Sequence, residues 1–197
     1  PGDVADSVRA AKAAVVAKVE ALDAASPPPR GLSEPEVAML KNVYGDSVDY
    51  TKVEIIENED LATRHVSGGC PFTLGNTIRI PPGRMPLTDD LLTHEMLHVW
   101  QYQNGGPGYL PSAIWAQKVG DGYDFEKGIR EGKAWAELNP EQQAEFFEKA
   151  SLAKALTGPD LPFVYENEDT GTTADYTEYL RTALAEIRAG RGAGALK

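Results

Sequence analysis

Two of the chain's three histidines stand four residues apart, in the run Leu91-Leu92-Thr93-His94-Glu95-Met96-Leu97-His98-Val99-Trp100-Gln101. The spacing predicts a helix over about 89–103, stopped by Asn104-Gly105-Gly106-Pro107. Residues i and i+4 share one face of a helix, so both imidazoles can reach one tetrahedral metal ion. Glu95 follows the first of them and can reach a water on that ion as general base. Two imidazoles desolvated on a mostly apolar helix need partners, and a metal supplies one. The fold must therefore bring at least one more ligand to this helix.

The third ligand is open on spacing alone. A longer pattern with Gly and a third His would need them at positions 101 and 104, where this chain has Gln101 and Asn104. His65 lies upstream and reads as an ordinary strand-edge histidine. Glu141 opens a later helix, and its same-face neighbours Ala144, Leu152 and Ala155 turn it inward. A carboxylate there is also ordinary decoration of a helix N-terminus. Asp175, in Gly171-Thr172-Thr173-Ala174-Asp175, resembles the Gly-Thr-x-x-Asp element of aspzincin peptidases. The tyrosine expected three residues on is Glu178, with Tyr179 one place late, and a plain helix start is the simpler reading.

Composition narrows the function classes. The 197 residues carry 19 basic and 30 acidic side chains, a net charge of −11. That field repels polyanions, so a nucleic-acid partner and an anionic membrane surface are both disfavoured. No apolar run approaches the roughly 20 residues of a membrane span. A single cysteine, Cys70, excludes an intrachain disulfide and a Cys₄ or Cys₂His₂ zinc site. Cys70 precedes Pro71 in a loop; as a thiol ligand it would keep a metal centre latent, but a small half-buried apolar side chain is the plainer reading. No signal peptide is visible at Pro1, which says little about export in a sequence lacking its initiator Met.

The expected organisation is an N-terminal arm and linker over 1–31, a main domain over 32–189 and a disordered Gly-rich tail over 190–197. A helix over 3–25 ends at Ser26-Pro27-Pro28-Pro29-Arg30-Gly31, and serves either as a free arm or as an extra helix on the core. Ser33 and Glu36 have capping-box spacing, with Pro35 in the first turn and Gly45 closing the helix after Tyr44. Strands follow near 53–57 and 77–80, the second ended by Pro81-Pro82-Gly83. One or two short helices fall within 107–138. Asn139 caps a helix starting at Pro140 and running to about Leu156. A last helix over about 173–189 buries Tyr176, Tyr179, Leu180, Leu184 and Ile187. This pattern predicts an α+β fold, mainly helical, with a short sheet packed on the metal-bearing helix.

Four stretches together resemble a known family. They are Phe72-Thr73-Leu74-Gly75-Asn76-Thr77-Ile78-Arg79-Ile80-Pro81-Pro82-Gly83, the run Leu91–Gln101, Tyr123-Asp124, and Asn139-Pro140-Glu141-Gln142-Gln143-Ala144. The combination is similar to the bacterial metallopeptidase-like domains associated with Rhs and VgrG proteins and with contractile injection systems. The likeness covers about Leu32 to Ala150. It departs at Cys70-Pro71, where a small residue is usual, and at Met96, where the family has Leu. It implies a zincin-like fold of the gluzincin type, with His94, His98 and Glu141 as ligands of Zn²⁺ and Glu95 as catalytic base. Tyr123 and Tyr109 are the candidate donors to an oxyanion, Tyr123 being the one carried forward.

The function this implies is a zinc metallopeptidase that hydrolyses peptide bonds with a metal-activated water. Its partners would be a peptide or protein substrate and a secretion or injection apparatus. It would then be a bacterial secreted or injected effector, or a processing domain. The competing class is a non-catalytic zinc-stabilised adaptor module of the same apparatus. Glu95 argues against it, because a structural site needs no base and closes with four protein ligands.

Overall fold

Every residue from Leu92 to Gln101 is buried. A helix covered on all sides needs neighbours around its whole circumference, and the rest of the chain supplies them. The computed structural model describes residues 2–105, 122–158, 160–167 and 169–193. In chain order the helices are α1 (Gly2–Asp23), α2 (Glu34–Tyr44), α3 (Asp89–Gly105), α4 (Phe125–Arg130), α5 (Pro140–Leu152) and α6 (Thr177–Arg188). The strands are β1 (Glu54–Glu57), β2 (Phe72–Leu74), β3 (Thr77–Ile80), β4 (Val164–Glu166) and β5 (Thr173–Asp175). The architecture is mixed α+β, dominated by helix.

β3 is the centre of a three-stranded sheet, parallel to β1 and antiparallel to β2. Gly75 and Asn76 turn the β2–β3 hairpin, and Gly75 takes φ +66°, a conformation that glycine adopts without strain. Ile55 pairs with Ile78, and Ile78 with Thr73, so these three share a row and a face. That face meets α3: Ile55, Ile78 and Ile80 join Met96, Leu97 and Trp100 in the main core, and Thr73 reaches Glu95. The opposite face carries Arg79 and Phe72, which form a second row.

The last turns of α1 cover that opposite face. Val19, fully buried, packs with Ala62, Phe72 and Leu74. Arg79 is 3% exposed and lies over the Phe72 ring. Its guanidinium is paired bidentately with Asp23 at the end of α1, Nε to Oδ1 at 2.8 Å. A buried cation with a bidentate partner is satisfied. The Pro-rich break ends by pairing with the sheet, since Arg30 exchanges both backbone hydrogen bonds with Ile55. Arg30 also forms ion pairs with Glu36 and Glu57.

Local caps set the helix boundaries. Ser33 and Glu36 form the expected capping box, and Gly45 ends α2 at φ +54° while donating to the Lys41 carbonyl. Asn139 and Gln142 form a second box at the head of α5, with Pro140 at its first turn. Each such cap contributes roughly 1 kcal/mol. α2 and α6 close the core through Leu40, Val43, Leu180, Ala183 and Ile187. Tyr44 Oη donates to the Thr93 carbonyl at 2.8 Å, and Trp100 Nε1 donates to the Ile187 carbonyl at 3.1 Å. Phe146 packs edge-on against Phe125, Phe147, Phe163 and Tyr179.

Several elements differ from the sequence expectation. Phe72–Leu74 is a strand, held by the hairpin. Thr173–Asp175 is strand rather than helix, because it pairs with Val164–Glu166, so the last helix starts at Thr177. α5 ends at Leu152, which is 52% exposed and so does not share the buried face of Glu141. His65 is not at a strand edge: it lies exposed on a single π-helical turn, Thr63–Ser67. After α6, Gly190–Ala193 continue along the fold: Gly192 sits against Trp135, and its carbonyl accepts from Gln143 Nε2. No helix among the described residues is long and apolar enough to cross a membrane.

Candidate metal centre

α3 and α5 face each other across the site. α3 contributes His94 and His98 one turn apart, and α5 contributes Glu141 from its first turn. Glu141 is fully buried, and His94 and His98 are 8% and 4% exposed. Glu141 Oε2 stands 3.6 Å from His94 Nε2 and 3.5 Å from His98 Nε2. Two ligands each about 2.0–2.1 Å from a tetrahedral ion lie roughly 3.4 Å apart, close to these separations. Both carboxylate oxygens of Glu141 are buried without a hydrogen-bond partner. Leaving a carboxylate so costs several kcal/mol by order of magnitude unless a cation compensates it. The three residues therefore fit a divalent ion of the zinc type, with nitrogen and oxygen donors converging on one point.

Each remaining ring nitrogen has a nearby acceptor. His98 Nδ1 is 2.9 Å from Gln101 Oε1 in a hydrogen bond, and His94 Nδ1 is 2.8 Å from Glu148 Oε2 in an ion-pair contact that lacks hydrogen-bond geometry. Such outer partners orient metal-binding imidazoles. His94 also stands with Glu145 and Glu148 in a second, more open acidic group. There Lys149 sits 2.9 Å from Glu145 and 3.9 Å from Glu148, which balances those carboxylates from within the protein.

Glu95 is 3% exposed and points toward β2, where its Oε2 accepts a hydrogen bond from Thr73 Oγ1 at 2.7 Å. Burial raises its carboxyl above the usual range, against the opposing pull of His94 and His98. Tyr123 is 42% exposed, and its ring centroid lies 6.3 Å from that of His94. Burial, then Glu141 and Glu95, push its hydroxyl upward, so it stays protonated. Tyr109 lies outside the described residues. The other candidates lie elsewhere. Asp175 is exposed, and its Oδ1 accepts from the Thr177 N–H at 2.9 Å just before α6. Cys70 is exposed rather than half-buried. Among the described residues, neither they nor His65 joins a group able to share one ion.

Four side chains of the site were not singled out in the sequence. Thr73 and Gln143 stand in stretches that carry the family resemblance, but their contacts with the site come from packing across elements. Gln101, three residues after His98, and Glu148, two helical turns after Glu141, did carry a spacing that could have marked them.

Charge in the metal-free cluster sets a pH dependence. Burial pulls His94 down, but Glu141 and Glu148 outweigh it, and the imidazole is pushed up to about 10 from 6.5. Burial lifts Glu141, but the two histidines outweigh it, and the carboxyl falls from 4.5 to about 2. The raised group stabilises the fold fully below 6.5 and loses that contribution as pH rises to 10. The lowered group stabilises above 4.5 and loses that as pH falls toward 2. The metal-free chain should thus gain most from this cluster between pH 4.5 and 6.5. Denaturant midpoints against pH for wild type and Glu141→Gln should diverge most in that window. Parallel curves would contradict the assignment.

The chain is 28% identical over 166 residues to the type VI secretion system spike protein VgrG2b of Pseudomonas aeruginosa. The alignment covers 72% of this chain and 15% of that protein, so the chain spans a small part of the relative's length. No family model and no solved structure matches the chain.

Proposed function

We propose that this chain is a zinc-dependent metallopeptidase domain of a bacterial secretion or injection apparatus. The observation that carries the reading is the buried Glu141 carboxylate, both oxygens unpartnered, facing the Nε2 atoms of two histidines. The likeness to a spike protein supports association with a secreted or injected assembly.

His94, His98 and Glu141 would hold the ion, leaving a fourth position for water or substrate. Bound zinc would lower the pKa of water and polarise a peptide carbonyl. Glu95, anchored through Oε2 by Thr73, takes the proton from the attacking water and returns it to the departing amine. Its raised pKa brings it nearer the working pH than an exposed glutamate would be. Tyr123 Oη, protonated at neutral pH, donates a hydrogen bond to the developing oxyanion. A purely structural ion would use a fourth protein ligand. Among the described residues the convergent group has three, and a buried carboxylate next to it.

The test is cleavage of a mixed peptide library by the zinc-loaded chain, read by mass spectrometry. Cleavage that stops with a chelator and returns with zinc supports the proposal. Intact peptides with a fully loaded chain would favour the adaptor reading.

A further inference from the structure

The outer partner of His98 belongs to a chain of amides whose polarity is fixed at its far end. Gln143 Nε2 lies 2.8 Å from the Trp135 carbonyl and 2.9 Å from the Gly192 carbonyl. Carbonyls only accept, so the amide nitrogen of Gln143 must point to them and its oxygen away. That oxygen accepts from Gln101 Nε2 at 2.8 Å, which also donates to the Pro140 carbonyl at 3.2 Å. The Gln101 oxygen is thereby turned onto His98 Nδ1, 2.9 Å away. An amide oxygen there requires hydrogen on Nδ1. The opposite tautomer would set a ring lone pair against the Gln101 oxygen.

From this we infer that Gln101 and Gln143 are positioning residues: three backbone carbonyls, acting through two buried amides, hold a hydrogen on His98 Nδ1 and so reserve Nε2, the nitrogen facing Glu141, as the ligand atom. Both glutamines are fully buried, where solvent cannot replace a lost partner. The relay also makes the segment after α6 part of the metal centre's support. Gly192 sits so close to Trp135 that an added Cβ would fall 2.6 Å from Cδ1, so the position has no room for a side chain. Its consequence for metal affinity rests on the function proposed above, whereas the tautomer does not.

The experiment uses ¹⁵N-histidine-labelled chain. In metal-free Glu141→Ala, which removes the carboxylate that competes for a proton on Nε2, the ¹⁵N shifts of neutral His98 should show Nδ1 protonated and Nε2 bare. A neutral ring protonated on Nε2 in that variant would overturn the inference, whether or not the wild-type chain binds zinc. Gln101→Met keeps the volume and removes the acceptor. It should weaken zinc binding roughly 10–100-fold in a chelator competition, with a smaller loss for Gln143→Met. Unchanged affinity in both folded variants would also overturn the relay. The expected tautomer in Glu141→Ala together with no zinc affinity in wild type would uphold the relay and defeat the metal reading instead.

Discussion

Glu141→Ala is expected to lose zinc under conditions in which wild type holds it. The drop in affinity should exceed the roughly 10–100-fold that changes to outer partners cause, because Glu141 is itself a proposed ligand and the one anion among them. Asp175→Ala serves as the control. Asp175 is exposed and lies outside the group that converges on one point, so its removal should leave zinc affinity unchanged. A chain that loses zinc on Asp175→Ala and keeps it on Glu141→Ala would reverse the ligand assignment.

The second large effect is on turnover. Glu95→Gln should retain zinc and lower the rate of peptide cleavage by about 10²–10⁴-fold, the range for removing a positioned general base. The amide preserves shape and can still accept the Thr73 hydroxyl at the same distance, so folding should be little changed. Thermal unfolding and metal content serve as the checks that only proton transfer has been lost. Activity within a few-fold of wild type would remove Glu95 from the base role.

Which parts were legible in the sequence follows from the range over which each is decided. α2 and the head of α5 were legible because Ser33, Glu36, Asn139 and Pro140 act within one helical turn. β3 was legible too, its bounds set by the turn at Gly75-Asn76 and by Pro81. β2 has three residues, too few to show alternation, and exists because β3 pairs with it. Thr173–Asp175 looked like a helix start, and pairing with residues some ten positions earlier made it strand.

The same division holds at the candidate centre. His94 and His98 lie on consecutive turns of one helix with Glu95 beside the first, and their grouping needs only helical geometry. Bringing Glu141 to them depends on how α3 meets α5, which spacing alone leaves open between Glu141 and Asp175. The roles of Thr73, Gln143 and Glu148 are set by distances between different elements, at 2.7–2.8 Å. A sequence pattern does not encode those distances.

The most direct measurement is the metal content of purified wild-type chain after equilibration with zinc and removal of loosely bound ions. The account predicts about one zinc per chain, in the proportion set by one His₂Glu site. A chain that takes up no zinc, although folded, would contradict it, and His94 and His98 would then be buried helix residues paired with glutamates.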